Sequence, residues 1–206
     1  QKIKQQFGER QAKLVSKEEI AENKQVLIDA DFVHLHNHTQ FSVLQSTISV
    51  AKLVKAASDN KMPAVAITDH ANLMGAFHFV RDILYHNKAA QVKNDEAVAN
   101  GDSPSEVIIK PIVGCEFYVC EDHLDKTRKD NGYQIVFLAK NKNGYQNLTK
   151  LTSIANTDGF YYVPRIDRNL IEKYKEDLIV LTGNLYGEIP SKILNIGENQ
   201  AEEALI

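Results

Sequence analysis

Short apolar runs alternate with amphipathic stretches along most of the chain, from about residue 31 onward. Runs rich in β-branched residues are typical of buried strands, whereas apolar positions spaced by three or four residues are typical of helices. The predicted strands cover 31–38, 64–68, 114–119, 134–139 and 178–181, and the predicted helices cover the segment after Ser49, 73–86, 145–156, 169–174 and the segment from Ile189. This order predicts an α/β domain built on a parallel barrel or an open parallel sheet.

Two predictions concern the long stretch between the second and third strands. The helix over about 73–86 places Phe77, Val80 and Leu84 on one apolar face. Residues 88–106 are polar and rich in Ala, Asn and Asp, which predicts a surface excursion rather than a further helix or strand.

Residues 1–31 differ from the rest of the chain. They are polar and charged, and Ser16 followed by Glu19 resembles a capping box. We expect them to form a charged linker or helical leader, and residues 32–206 to form the folded domain. Because the chain starts at Gln1 and Ile206 lies inside a helical pattern, this domain is expected to stop before its final strands.

Composition narrows the class of protein. Of 206 residues, 43% are hydrophobic and 25% are charged, which is ordinary for a globular domain. The formal net charge of −3 does not indicate a broad surface for nucleic acid. Two cysteines are too few for a disulfide framework, and no apolar run approaches the roughly 18 residues of a membrane helix. We therefore expect a cytoplasmic protein without a membrane partner.

Three histidines alternate with other residues in the first predicted strand. Because side chains alternate along a strand, His34, His36 and His38 would face the same way. Imidazole is a common metal ligand, so the cluster favours a divalent ion, although a polar strand end facing solvent is the alternative. His70 and Glu116 also fall near strand ends, where parallel sheets collect functional groups. The pattern predicts a metal site, present or ancestral.

Several ordered motifs resemble those of the PHP (polymerase and histidinol phosphatase) family. They are His36-Asn-His38-Thr39, Thr68-Asp69-His70 and Pro111-Ile-Val-Gly-Cys-Glu116, followed by blocks at 139–148, 159–167 and 187–190. The last three blocks are similar to the N-terminal PHP domain of bacterial replicative DNA polymerases, of the polymerase III α type. The resemblance runs from about residue 32 to the end. It implies an α/β fold of the distorted (β/α)7 barrel type, C-terminally incomplete in this chain, which in intact members holds a three-metal cluster.

The resemblance assigns residues of this chain to the family's metal-binding positions. Four of them match, namely His36, His38, His70 and Glu116. Three others carry amides, namely Gln45 where metal-bearing relatives have Asp, Gln134 where they have His, and Asn184 where they have Cys. His34 and Asp69 are expected to support the ligands rather than to bind a metal. The closing Asp-x-His segment of the family lies beyond residue 206.

The three amides weaken the predicted metal site. Amide oxygens are poor ligands for these ions, yet they are good hydrogen-bond partners. The sequence therefore favours an empty pocket held by hydrogen bonds and disfavours the full trinuclear cluster. One divalent ion, zinc or manganese, on the remaining ligands stays open as an alternative.

The resemblance implies a non-catalytic scaffold domain for the polymerase core of the same chain. A proofreading exonuclease domain or subunit is a further expected partner, and DNA would be contacted through the parent protein. The magnesium of the parent polymerase would be held outside these residues, and no catalytic residue is assigned here. The alternatives are a metal-dependent phosphoesterase of the histidinol-phosphatase type and a 3′–5′ proofreading exonuclease.

The remaining histidines have simpler interpretations than ligation. His78 and His86 lie on a predicted helix and are expected at the surface or in the core. His123 lies in the charged loop 121–131, where a solvated charge pair with its neighbours is expected.

Three residues near the middle of the chain suggest contact with nucleic acid. Tyr161, Tyr162 and Arg165 could stack on bases or clamp a strand, although packing of the aromatic rings is the simpler interpretation.

Overall fold

The structure is a computed structural model that describes Ser16, Ile20 and residues 32–205. The predicted leader therefore lies outside the described residues, apart from Ser16 and Ile20. A compact unit begins at Val33.

The unit has a mixed α/β fold of six described helices and one five-stranded sheet, in agreement with the predicted class. The strands are β1 Ala64–Ile67, β2 Lys110–Cys120, β3 Tyr133–Ala139, β4 Arg165–Asp167 and β5 Leu178–Leu181. The helices are α1 Val50–Asp59, α2 Ala76–Ala99, α3 Lys142–Thr157, α4 Arg168–Tyr174, α5 Glu188–Asn195 and α6 Glu198–Leu205. None of the described helices is both long enough and apolar enough to cross a membrane.

The sheet is not purely parallel, so the prediction of a parallel order is wrong. β1 and β4 pair with β2 in parallel, but β3 runs antiparallel to both β2 and β5. The connection between β2 and β3 contains no helix to carry the chain back across the sheet, so β3 returns beside β2. As a result, the start of β3 lies at the same end of the sheet as the carboxyl ends of β2 and β5.

The predicted first strand is wrong as well, because residues 32–38 form an irregular segment along β1. Two backbone hydrogen bonds join them to the sheet region, from Ala66 N to His34 O and from Thr68 N to Asn37 O. The Asn37 side chain donates to Ala66 O at 3.0 Å, and Asn37 N donates to Thr68 Oγ1 at 2.8 Å. Side-chain hydrogen bonds thus replace part of a regular ladder, and the segment is not a strand.

Helix α2 is longer than predicted and packs on a different face. It continues to Ala99 through the region predicted as a surface excursion. Its buried side chains include Phe79 and Ile83, whereas Phe77 and Leu84 are exposed by 73% and 58%. The continuation is stabilised by polar residues, because Asn87 and Asn94 exchange hydrogen bonds with the backbone of residues 105–109.

Two large apolar clusters pack helices against the sheet. The first joins α1 and α2 to β1, and its largest buried side chain is Phe79. The second joins α3 and β4 to β2 and β3, where the rings of Phe117 and Phe137 meet edge to face at 5.6 Å. The final predicted helix is two helices, since the chain breaks at Gly197, where φ is +153°. The clusters leave one end of the sheet open for polar residues.

Candidate metal centre

Glu116 is the centre of a polar site at the open end of the sheet. It lies on β2, is only 2% exposed, and pairs in register with Val136 of β3. His70 follows β1 and forms an isolated parallel bridge with Glu116, which fixes its backbone beside the carboxylate. The extended segment before α1 supplies two more imidazoles from the other side.

Three imidazoles surround the Glu116 carboxylate. His36 Nε2 lies 2.7 Å from Oε2, and His70 Nδ1 lies 3.1 Å from Oε1. His38 Nε2 lies 3.4 Å from Oε1, which is too long for a good hydrogen bond. The rings of His36 and His38 are 5.3 Å apart, so these two imidazoles lie side by side at the carboxylate.

The charge of Glu116 is maintained by these neighbours. Burial opposes its ionisation, but the hydrogen bonds from His36 and His70 and the nearby imidazole of His38 outweigh burial and hold the pKa of Glu116 far below its usual range. In return, the close contact with the Glu116 carboxylate raises the pKa of His38 against the opposing effect of burial. The site is therefore a buried carboxylate surrounded by three imidazole groups.

Asp69 fixes the loop that carries His38. Its buried carboxylate accepts hydrogen bonds from Thr39 N at 2.6 Å, Thr39 Oγ1 at 2.7 Å and Ser42 Oγ at 2.7 Å. Ser42 Oγ also accepts from His70 N at 3.0 Å. Asp69 thus joins the two histidine-bearing segments from behind the pocket rather than lining it.

The amides at the substituted positions lie in the same pocket. Gln45 Oε1 is 3.1 Å from His38 Nδ1 and is the hydrogen-bond partner of that ring nitrogen. Gln134 Nε2 donates to the Tyr118 hydroxyl at 3.2 Å, and Asn184 Oδ1 accepts from Tyr186 N at 2.8 Å. The pocket measures about 340 Å³ and is lined by His36, His38, Gln45, Glu116, Gln134 and Asn184.

The residues present fit one divalent ion better than a cluster. His36, His38 and Glu116 offer ligand atoms that all lie within 4.8 Å of one another. Among the described side chains, the buried Nε2 atoms of His38 and His70 lack a hydrogen-bond partner, which leaves two imidazole nitrogens available to a cation. Further ions would depend on neutral amide oxygens, which are weak ligands.

The structure brings most of the predicted site residues together. His70 contacts Glu116 from the side, and Asp69 lies behind the loop, while the exposed His34 does not line the pocket. Sequence reasoning missed Ser42 and Tyr118. A signal existed for Tyr118 alone, because it lies two residues beyond Glu116 and therefore on the same side of β2.

The prediction for His123 is wrong. Its Nδ1 lies 2.5 Å from Oδ2 of Asp167, and the two side chains are only 13% and 4% exposed. The partner is therefore a buried residue of β4 rather than a solvated neighbour in the loop. His86 Nε2 lies 3.2 Å from Val107 O, and the His78 ring stacks with Phe41 at 6.3 Å, so neither helical histidine belongs to the pocket.

Comparison with known proteins bears on the identity of this fold. The family model of the PHP domain matches residues 34–206. DNA polymerase III subunit alpha of Aquifex aeolicus is 39% identical over 183 residues, which cover 84% of this chain and 14% of that protein. The same subunit is 34% identical over 178 residues in Chlamydia trachomatis and 39% identical over 181 residues in Thermus aquaticus, where the match covers 84% of this chain and 13% of each protein.

The chain thus spans about one seventh of the length of these relatives. The match extends over the segments that carry His36, His70, Glu116, Gln134 and Asn184. The resemblance that the motifs indicated is confirmed: the chain belongs to the PHP domain family and is homologous to part of DNA polymerase III subunit alpha.

Proposed function

We propose that this chain is the PHP domain of a replicative DNA polymerase of the polymerase III α type, and that it acts as a structural scaffold with a depleted metal site. The scaffold role concerns residues 32–206, with residues 1–31 as a connector. The relatives named DNA polymerase III subunit alpha support the polymerase context.

The observation that carries the scaffold role is the way the amides occupy the pocket. Gln45 lies against a ring nitrogen of His38, and Gln134 contacts the Tyr118 hydroxyl. Each amide takes part in a neutral hydrogen bond at a position where a charged or imidazole ligand would serve a metal. The Glu116 carboxylate is already compensated by imidazole donors, so the pocket is stable without the charge of several ions.

A single zinc or manganese ion on His36, His38 and Glu116 is the second candidate. The partnerless Nε2 atoms of His38 and His70 favour it, since buried imidazole nitrogens usually have a partner. When bound, such an ion supplies Lewis acidity toward a phosphate group. In that case, weak phosphoesterase or 3′–5′ exonuclease activity replaces the purely structural role.

The proposal extends to the surroundings of the domain. The five-stranded sheet would be part of a distorted (β/α)7 barrel, and the polymerase core of the same chain would pack against it. A proofreading exonuclease domain or subunit is a further partner, and both DNA and the catalytic magnesium would be held elsewhere in the parent protein. The cytoplasm suits this role, because Cys115 and Cys120 are free thiols.

Restoring ligands tests the claim that the amides deplete the site. The double variant Gln134→His and Asn184→Cys replaces two neutral side chains by metal ligands of the kinds that metal-bearing relatives carry. We expect about one additional zinc ion per chain, measured by mass spectrometry after equilibration with zinc. An unchanged zinc content in a folded double variant would show that the pocket is not a depleted family site.

A matched control introduces one histidine and one cysteine outside the pocket. Gln146→His and Ser153→Cys lie on the exposed side of α3, seven residues and therefore about 10 Å apart along the helix. They cannot share an ion, so this variant should bind no more zinc than the wild type.

A further inference from the structure

A tight turn after α3 presents an aromatic ring to solvent. Tyr161 and Val163 form an isolated antiparallel bridge, so Tyr162 stands at the tip between them. Tyr162 is 64% exposed, and its φ of +62° is a backbone conformation that residues with a Cβ disfavour. The neighbouring Phe160 is 50% exposed. A strained backbone that holds a large ring in water is more typical of a binding surface than of a stabilising element.

Arg165 joins this turn to the charged loop 121–131. Its guanidinium is fully buried and donates hydrogen bonds to the carbonyl oxygens of Gly159, Asp130, His123 and Asp125, at distances of 3.1, 3.0, 3.1 and 2.9 Å. Arg165 is therefore occupied by backbone and cannot clamp a ligand. Its role is to hold the turn and the loop in one fixed arrangement.

The loop places a lysine beside the exposed ring. Lys129 Nζ lies 5.2 Å from the centre of the Tyr162 ring, and no carboxylate of the described residues lies within ion-pair distance of it. The acidic residues of the loop are engaged locally, since Glu121 and Asp125 pair with Arg128, while Asp122 and Asp130 accept hydrogen bonds from backbone N–H groups. Lys129 is thus a cation that lies over the Tyr162 ring and forms no ion pair with a carboxylate of the described residues.

We propose that Tyr162 and Lys129 form a stacking platform for single-stranded nucleic acid. The Tyr162 ring offers a face on which one base stacks, and Lys129 offers a cation to the adjoining phosphate. The aromatic ring matches the base of a nucleotide, and the cation beside it matches the phosphate. A folded protein partner would need a larger apolar surface. This inference goes beyond the scaffold role and does not depend on a metal in the Glu116 pocket.

Photo-cross-linking tests the platform in the full-length protein. An oligothymidylate that contains 5-iododeoxyuridine is irradiated with the protein, and the cross-linked peptides are identified by mass spectrometry. We expect a cross-link at Tyr162 that is retained in Tyr162→Phe, because stacking needs the ring and not the hydroxyl. A wild-type protein that cross-links elsewhere but never within residues 160–163 would overturn the proposal.

The variant Lys129→Gln removes the positive charge and leaves unchanged the Tyr162 ring, at which the cross-link is measured. The apparent Kd, obtained by titrating the Tyr162 cross-link, should rise several-fold at low salt, and the slope of log K against log salt should fall by about 0.7. Lys52→Gln, an exposed lysine on α1, is the matched control and should change neither quantity. If both variants behave alike, Lys129 does not contact phosphate and the platform is rejected.

A third variant separates binding from folding. Tyr162→Asn suits the positive φ, so it should fold as stably as the wild type while losing the stacking ring. In limited proteolysis with the same oligothymidylate, we expect the concentration that half-protects the 160–163 turn to be about tenfold higher than for the wild type. Equal protection would show that the ring does not bind a base, and protection by an added protein but not by nucleic acid would assign the surface to a protein partner instead.

Discussion

His36 Nε2 lies 2.7 Å from Oε2 of the buried Glu116, and this contact links the irregular first segment to the central strand of the sheet. The same carboxylate is approached by His70 at 3.1 Å. In a site built around several ions, a carboxylate and its neighbouring imidazoles would all bind the metals. Here these side chains contact one another, and the amides of Gln45, Gln134 and Asn184 line the same pocket.

Replacing Glu116 by Gln should destabilise the metal-free protein. Glutamine offers one acceptor oxygen where His36 and His70 each contact a different oxygen of Glu116, so one ring nitrogen would lose its partner. We expect the free energy of unfolding to fall by about 3 kcal/mol in urea titrations of chelator-treated protein. Glu121→Gln, an exposed carboxylate, is the control; a similar stability for both variants would contradict the central role of Glu116.

Asp69→Asn should loosen the loop that carries His38 and Gln45. An amide replaces one of the two carboxylate oxygens that accept from Thr39 and Ser42. Because hydrogen bonds to a buried charge are stronger than neutral ones, the free energy of unfolding should fall by about 2 kcal/mol. Hydrogen exchange should also become faster in residues 38–46. The exposed Asp59→Asn should leave this exchange unchanged, and protection equal to wild type in Asp69→Asn would argue against the role of Asp69.

Arg165→Lys should release the loop 121–131. A lysine ammonium cannot reach four carbonyl oxygens in the way that the planar guanidinium does. We expect a loss of about 3 kcal/mol in the free energy of unfolding, measured by chemical denaturation. Arg168→Lys at an exposed position provides the comparison. A loss no larger than in that comparison would mean that the four hydrogen bonds do not stabilise the loop.

Both cysteines should resist alkylation in the folded protein. Burial raises the pKa of Cys120 to about 11 and raises that of Cys115 still further. At pH 8 the reactive thiolate is therefore scarce, and reaction with iodoacetamide should be more than about 100-fold slower than in denaturant. The exposed thiol introduced by Ser153→Cys gives the alkylation rate of a cysteine that is not buried. Rapid native labelling of Cys120 would show that its strand opens far more readily than the structure implies.

Strands with runs of β-branched residues could be predicted because such a run favours a strand by its local sequence alone. The predicted segments at 64–68, 134–139 and 178–181 match β1, β3 and β5 within about a residue. The direction of β3 was not predictable in the same way, since alternation does not encode whether a neighbour is parallel. The length of α2 was missed because Asn87 and Asn94 look like loop residues and yet support the helix through hydrogen bonds to another segment.

The site was only partly visible in the sequence. Family motifs pointed to His36, His38 and Glu116, and the structure brings these residues into one pocket, while their role as metal ligands stays a prediction. The pairing of His123 with Asp167 could not be predicted, because it depends on the way a distant arginine folds the loop. Long-range hydrogen bonds of this kind leave no periodic pattern in the sequence.

The metal content of the purified protein tests the central claim most directly. The chain, in its full-length form and without an affinity His-tag, would be purified without chelator and analysed by mass spectrometry for zinc, manganese and iron. A depleted site built on His36, His38 and Glu116 predicts no more than about one ion per chain, because the remaining positions carry amides. Two or more tightly bound ions in this domain would contradict the account and identify an intact metal centre.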